Sequence, residues 1–215
     1  MATRTTLSSH SPQSLSSLLL SPLHLVKKYS YKNTQLQIPQ IQRKPRTNLF
    51  IPRAMKAVVQ RVTSASVQVD GRIVSEIGPG ILVLIGIHES DTDSDSNYIC
   101  RKVLNMRLFP NENTGKAWDQ SVMQKNYEVL LVSQFTLYGT LKGNKPDFHV
   151  AMPPQKAKPF YESVVENFRK GYNPDLIKDG IFGAMMKVNL VNDGPVTLQL
   201  ESPQTSKRNN DAEEP

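Results

Sequence analysis

Val129-Leu130-Leu131-Val132-Ser133-Gln134-Phe135-Thr136-Leu137-Tyr138 is the stretch around which this 215-residue chain is organised. Four apolar residues in a row, two of them β-branched, read as the part of a central strand that is covered on both faces. The polar Ser-Gln and the Thr that follow mark where that strand surfaces, which is where a rigid scaffold hands side chains to a pocket. A second stretch, Asn192-Asp193-Gly194-Pro195-Val196-Thr197, reads as a turn of special backbone geometry between two strands, Ala184–Val191 and Val196–Leu200. The two stretches are expected to face one another.

Working outward, Lys56–Val62 and Ala65–Val69 are β-rich, and Asp70-Gly71 is a two-residue hairpin signal leading into Arg72–Ile77. After the Gly78-Pro79-Gly80 break, Ile81–Ile87 is apolar on both faces and predicts another central strand. The acidic run Glu89–Asp95 supplies capping side chains for a helix carrying Ile99, Val103 and Met106. Its alternating acids suggest a calcium loop, but the glycine and distal glutamate of that pattern are missing. Gly139–Asp147 reads as a loop bearing Lys142 and Lys145. Pro153-Pro154 opens the clearest helix, in which Ala157, Phe160, Tyr161, Val164, Val165 and Phe168 recur at helical spacing before Gly171. Strands outnumber helices, so the expected fold is α+β: a curled, barrel-like, mainly antiparallel sheet with two or three packed helices.

Residues 1–54 differ in kind, with eight Lys or Arg and no carboxylate before Asp70. Rich in Ser and Thr near the start, they have the composition of an organelle transit peptide, a chloroplast or other organelle being the expected destination. A disordered basic arm for RNA is the alternative. Arg53-Ala54 offers a processing point, and Met55 an internal start for a cytoplasmic form. The apolar run Leu18–Leu20 stops at Ser21-Pro22, far short of the roughly 20 residues of a membrane span, so no membrane partner is expected. Removing eight basic residues from 26 leaves 18 Lys+Arg against 19 Asp+Glu, a body close to neutral at −1. Any nucleic-acid partner must then be met by a local patch. Residues 55–202 suit one domain, and 203–215 read as a frayed tail. A single cysteine, Cys100, excludes an internal disulfide and reads as a small helix residue. The four histidines, His10, His24, His88 and His149, have no metal-ligand spacing, so no metal is expected.

Ser133 and Thr136 are candidate nucleophiles, but three residues apart on a strand they point to opposite faces, and no base sits beside either in sequence. Gly194-Pro195 is the more telling pair. A cis bond there would let both carbonyls face a site with no side chain between them. A pocket walled by backbone is indifferent to which amino acid it holds, yet strict about space at the α-carbon, and so filters handedness.

Ser133-Gln134-Phe135-Thr136 and Asn192-Asp193-Gly194-Pro195-Val196-Thr197 together resemble the signatures of the D-aminoacyl-tRNA deacylases of the bacterial and eukaryotic type. The likeness runs from Met55 to about Ser202 and includes Met55–Val62, Lys142–Phe148 and Gly183–Val188. The resemblance implies a homodimer in which each subunit inserts its Gly194-Pro195 turn into the other's site to reject L-aminoacyl groups. It implies that Ser133, Gln134, Phe135 and Thr136 form the pocket floor beside the terminal adenosine and the ester. Phe182 and Met186 are implied to line the adenosine pocket. The implied reaction, without metal or organic cofactor, is hydrolysis of the ester joining a D-amino acid or glycine to the 3′ end of tRNA. Two other classes remain open. One is a non-catalytic RNA-binding module using Lys142, Lys145, Lys156 and Lys158. The other is a serine or threonine hydrolase of another ester, for which His149 or His88 would have to supply the base.

Overall fold

The computed structural model describes residues 54–203; the expectations for residues 1–53 and for the tail from 204 lie outside them. The chain begins with β1 (Lys56–Val69), turns through Asp70-Gly71 into β2 (Arg72–Ile77) and continues as β3 (Gly80–Gly86). Positive φ at both turn residues, 49° and 80°, gives the hairpin geometry the Asp-Gly pair predicts. Helix α1 (Asp93–Asn105) follows, then a hairpin of β4 (Phe109–Asn111) and β5 (Lys116–Gln120), the short α2 (Val122–Lys125) and β6 (Glu128–Ser133). A 3-10 turn, Phe135–Tyr138, leads to the β7 (Thr140–Lys142) and β8 (Lys145–Asp147) hairpin. Helix α3 (Pro154–Gly171), β9 (Ile177–Asp179) and β10 (Lys187–Glu201) complete the chain.

The main sheet has the order β10-β1-β3-β6-β9, with β2 also on β1. Its first half pairs β1 with β3, and its second half pairs β1 with β2. The curl of β1 therefore carries β2 round toward β6 and β9, and the sheet nearly closes into a barrel. The curled sheet with three helices agrees with expectation, although the sheet is mixed rather than mainly antiparallel. β1 runs antiparallel to β2, β3 and β10, whereas β3–β6 and β6–β9 are parallel. Parallel neighbours need crossovers, and α1 and α3 provide them.

Two apolar layers explain the unbroken runs of β3 and β6. Ile81, Val83, Ile85, Val129 and Leu131 face Ile99 and Val103 of α1 and Tyr161, Val164 and Phe168 of α3. The alternate residues Leu82, Leu130 and Val132 fill the inside of the curl with Val62, Ala65, Val67 and Ile77. Gly80 is required where β3 meets β6, since a Cβ there would lie 2.0 Å from the Glu128 carbonyl oxygen. Asp95 caps α1, its Oδ2 accepting from the Thr92 N–H at 2.9 Å, and in the turn before the helix Asp91 Oδ2 accepts from the His88 N–H at 2.7 Å. Cys100 is buried on this helix, and burial pushes its thiol up to about 11.

Three boundaries differ from the sequence reading. The strand through 129 stops at Ser133, so Ser133 and Thr136 are separated by a helical turn and the opposite-face argument does not apply to them. Ala184–Val191 and Val196–Leu200 are one strand interrupted by a bulge, because Arg61 and Asn192 hold both sides of the interruption together. The 139–147 loop is itself a hairpin. Among the described residues no helix is long and apolar enough to cross a membrane.

Candidate functional site

Strands β3, β6 and β9 run parallel, so their carboxyl ends share one edge, and open α/β sheets use that edge for ligands. The Gln134 N–H donates to the Ile85 carbonyl at 2.6 Å, and the 3-10 turn then folds over the end of β3. Gly86 permits this close approach: a Cβ there would lie 2.9 Å from Leu137 Cβ and 3.3 Å from the Gln134 carbonyl oxygen. Tyr138 anchors the turn in the interior, while Phe135 and Thr136 are exposed and Ser133 and Gln134 half-buried. The Gln134 side-chain amide donates to Thr136 Oγ1.

Phe135, 57% exposed, stands edge-on to Phe148 with ring centroids 5.0 Å apart. The β7–β8 hairpin carries Phe148, and Gly143 (φ 63°) makes its turn. Asp147 ties the hairpin base, pairing with Lys142 Nζ and, at 2.9 Å, with His149 Nδ1. These partners, Lys142 first, hold the Asp147 carboxyl down at about 2. Lys142 is thus engaged within the protein, while Lys145, Lys156 and Lys158 are exposed.

On the same edge, the Gly180 N–H bonds the Leu131 carbonyl at 3.0 Å and brings Phe182 alongside. Phe182 packs at 5.7 Å on Tyr161 of α3. Met186 has a different position. Its sulfur fills the space beside Gly180, and its side chain packs against the interior of the curl around Val67 and Leu130.

Gly194-Pro195 lies elsewhere. The Gly194-Pro195 bond is cis. In the β1–β10 register Gln60 faces Thr197 and Val62 faces Asn192, so Asp193, Gly194, Pro195 and Val196 stand opposite Arg61 alone and project from the sheet. Arg61, whose side chain is 13% exposed, holds the neck of this projection. Its Nε pairs with Asp193 Oδ2 at 2.8 Å, its Nη1 donates to the Leu108 carbonyl at 2.6 Å, and its guanidinium lies 5.7 Å from the Trp118 ring. The Asn192 side chain closes the neck, donating to the carbonyls of Arg61 and Val196 at 3.0 and 3.1 Å. Gly194 has φ +112°, and a Cβ there would meet Val196 Cγ2 at 2.8 Å and Arg61 Nη2 at 3.1 Å. Arg61 and Phe148 lie in stretches that carry the family likeness, Met55–Val62 and Lys142–Phe148, but no role is read for either from sequence, and Trp118 has no signal.

The two signature stretches therefore do not face one another within one chain. Arg61 pairs with Ile81 near the start of β3, and Gln134 bonds Ile85 at its end. Four residues of strand separate them, about 13 Å at the usual rise.

Comparison with known proteins follows the same residues. The family model described as D-Tyr-tRNA(Tyr) deacylase matches residues 58–201. A Dictyostelium discoideum protein named D-aminoacyl-tRNA deacylase is 57% identical over 148 residues, 69% of this chain and 98% of its own length. The Homo sapiens D-aminoacyl-tRNA deacylase 1 is 60% identical over 149 residues, 69% of this chain and 71% of that one. A solved structure named c-Myc DNA Unwinding Element Binding Protein superposes with a TM-score of 0.67 at 59% identity, covering 69% of this chain and 99% of that one. A parallel-edge platform carrying Ser133–Thr136 and a projecting Gly194-Pro195 turn both fall inside the matched span, and the chain belongs to the D-Tyr-tRNA(Tyr) deacylase family.

Proposed function

We propose that the body hydrolyses the ester of D-aminoacyl-tRNA, releasing the free amino acid and tRNA, and so acts in chiral proofreading of translation. The observation that carries this reading is the 57–60% identity to proteins named D-aminoacyl-tRNA deacylase across the whole described body. The geometry supplies a mechanism. Phe135 and Phe148 present aromatic surface of the kind on which the terminal adenine stacks. Phe135 and Thr136 lead the 3-10 turn, and leading N–H groups have no partners within a helix, so they are placed to polarise the ester carbonyl. An aminoacyl ester is already activated. Orientation of water and assistance by the neighbouring ribose hydroxyl suffice, which suits a Thr136 hydroxyl held by the Gln134 side-chain amide.

Handedness is assigned to the Gly194-Pro195 turn of a second copy. The neck of the turn and its own Gln134 are tied to opposite ends of β3, so the turn is assigned to the platform of another subunit. The surface available for pairing includes edge strand β10, where Val191 and Leu198 are exposed, and the neighbouring Met185. Exclusion by backbone alone rejects a side chain of the L hand and admits glycine, so mischarged glycyl-tRNA is also a substrate. Residues 1–54 are assigned to organelle delivery, chloroplast first, with a cytoplasmic form starting at Met55.

The test is release of amino acid from matched D- and L-aminoacyl-tRNA; equal rates on both overturn the filter. Thr136→Val is expected to keep most turnover, and a trapped acyl-enzyme on Thr136 would refute the water mechanism. The second reading is a nucleic-acid module without catalysis. It draws on a structural relative named as a DNA unwinding element binding protein and on exposed Lys145, Lys156 and Lys158. It predicts salt-dependent binding with no amino acid released.

A further inference from the structure

The β7–β8 hairpin holds a histidine in a defined pose beside the aromatic platform. After β8 the chain turns through Phe148-His149-Val150-Ala151, closed by the Ala151 N–H on the Phe148 carbonyl at 3.0 Å. At the corner of this turn His149 folds back on Asp147. Its N–H donates to Asp147 Oδ1 at 3.2 Å, and its ring Nδ1 lies 2.9 Å from Asp147 Oδ2. Asp147 is fixed in its turn, with a side chain only 17% exposed that also pairs with Lys142 Nζ. The imidazole is thus gripped at one edge while its side chain stays 60% exposed. Its immediate neighbour, Phe148, is the ring that packs on Phe135.

The chemistry of the grip limits what the ring can do. With its carboxyl held down at about 2, Asp147 is a carboxylate and can only accept, so the Nδ1 that meets it carries a proton. Nε2 then donates only when the ring is charged. Lys142 already balances Asp147, so a charged ring leaves one positive charge in excess, and Lys145 is exposed on the same hairpin. Lys156 and Lys158 follow in the opening turns of α3. Against them stands exposed Glu89, whose N–H donates to the Val150 carbonyl at 3.2 Å, and buried His88 is bridged to Ala151. The corner is therefore positive and suits an anion.

We infer that His149 is a phosphate contact: with Phe135 and Phe148 against the terminal adenine, its Nε2 donates to the phosphate joining the last two nucleotides. The inference rests on the reading of Phe135 and Phe148 as a stacking surface. A stacked base carries its phosphate at the rim of the aromatic surface, where the residue next to Phe148 stands. The bond is charge-assisted and forms with the imidazolium, so it strengthens as pH falls, and a ligand without a phosphate does not feel it.

The full chain is titrated with the ribonucleotide ACCA, labelled at its 5′ end with fluorescein and followed by polarisation, and adenosine serves as the phosphate-free competitor. ACCA is expected to bind about fivefold tighter at pH 6 than at pH 8, and adenosine equally at both. His149→Gln should remove the difference, and His149→Lys, a cation at both pH values, should bind ACCA tightly at both. Neither variant should change the adenosine constant. A parent protein that fails to bind ACCA, or binds it equally at the two pH values, overturns the inference, as does a His149→Gln protein that keeps the difference. So does a variant that weakens adenosine as much as ACCA, because His149 would then be a support for Phe148. Amino acid release from D- and L-aminoacyl-tRNA is scored on the same parent protein: D-selective release without pH-dependent ACCA binding sinks this inference and leaves the proposed reaction standing.

Discussion

Replacing Arg61 by alanine tests the arrangement most directly, because one side chain holds the projecting turn to the sheet. The Leu108 carbonyl loses a charged donor at 2.6 Å, which costs about 1.5–3 kcal/mol. The pair with Asp193 adds at most about 1 kcal/mol, since that carboxylate is 45% exposed and screened. The Trp118 contact at 5.7 Å adds roughly 0.5–1 kcal/mol. Together these predict a loss of about 2–5 kcal/mol and a fall of roughly 10 °C in Tm. The functional effect should exceed the thermal one. With the Arg61 side chain gone, the Asn192 bonds and the long Gln60–Thr197 bond are left at the neck, and the turn keeps its position less firmly. Hydrolysis of L-aminoacyl-tRNA relative to its D counterpart should rise tenfold or more, equivalent to about 1.4 kcal/mol of lost discrimination. Asp193→Asn is the control: it removes only the ion pair and should lower Tm by a few degrees at most. An Arg61→Ala protein that melts within a degree of the parent and keeps its D/L ratio would refute the assignment of the turn as the filter.

Gly194→Ala places a Cβ 2.8 Å from Val196 Cγ2 at a φ of +112°, so the turn must shift. Because the turn is exposed, Tm should change little while the D/L rate ratio falls at least tenfold. Phe135→Ala or Phe148→Ala should raise KM for D-aminoacyl-tRNA about tenfold with kcat nearly unchanged, one stacked base being worth about 1–3 kcal/mol. Burial, opposed by the His88 N–H and aided by the Asp95 charge, pushes Asp91 up to about 7 from 3.8. A raised carboxyl stabilises the fold below its unfolded value, and the contribution is lost as pH rises through the folded value. Stability of the chain should therefore decline between about pH 4 and pH 7, and Asp91→Asn should flatten that decline in chemical-denaturation curves.

The sequence by itself determined the elements whose cause is local. Asp70-Gly71 needs positive φ at both positions and makes its hairpin. Thr92 with Asp95 caps α1. The spacing of Ala157, Tyr161, Val164, Val165 and Phe168 buries one face of α3. The signature residues Ser133–Thr136 and Gly194-Pro195 could be singled out because their types are unusual for strand interiors. What the chain order left open was pairing and direction. The parallel β3–β6 and β6–β9 ladders depend on α1 and α3 crossing the sheet, a long-range packing event that the two-faced apolar runs of β3 and β6 permit but do not direct. Thr136 leaves the strand because Gly86 lets the backbone fold over β3, a contact across some fifty residues. Arg61 became a functional candidate only when the register set it opposite four residues of β10, and the half-buried Met186 packs beside Gly180 because that residue leaves room for its sulfur. Local propensity writes the elements; the burial of both faces of one curled sheet decides which of them meet, and it sets the two signature stretches at opposite ends of β3.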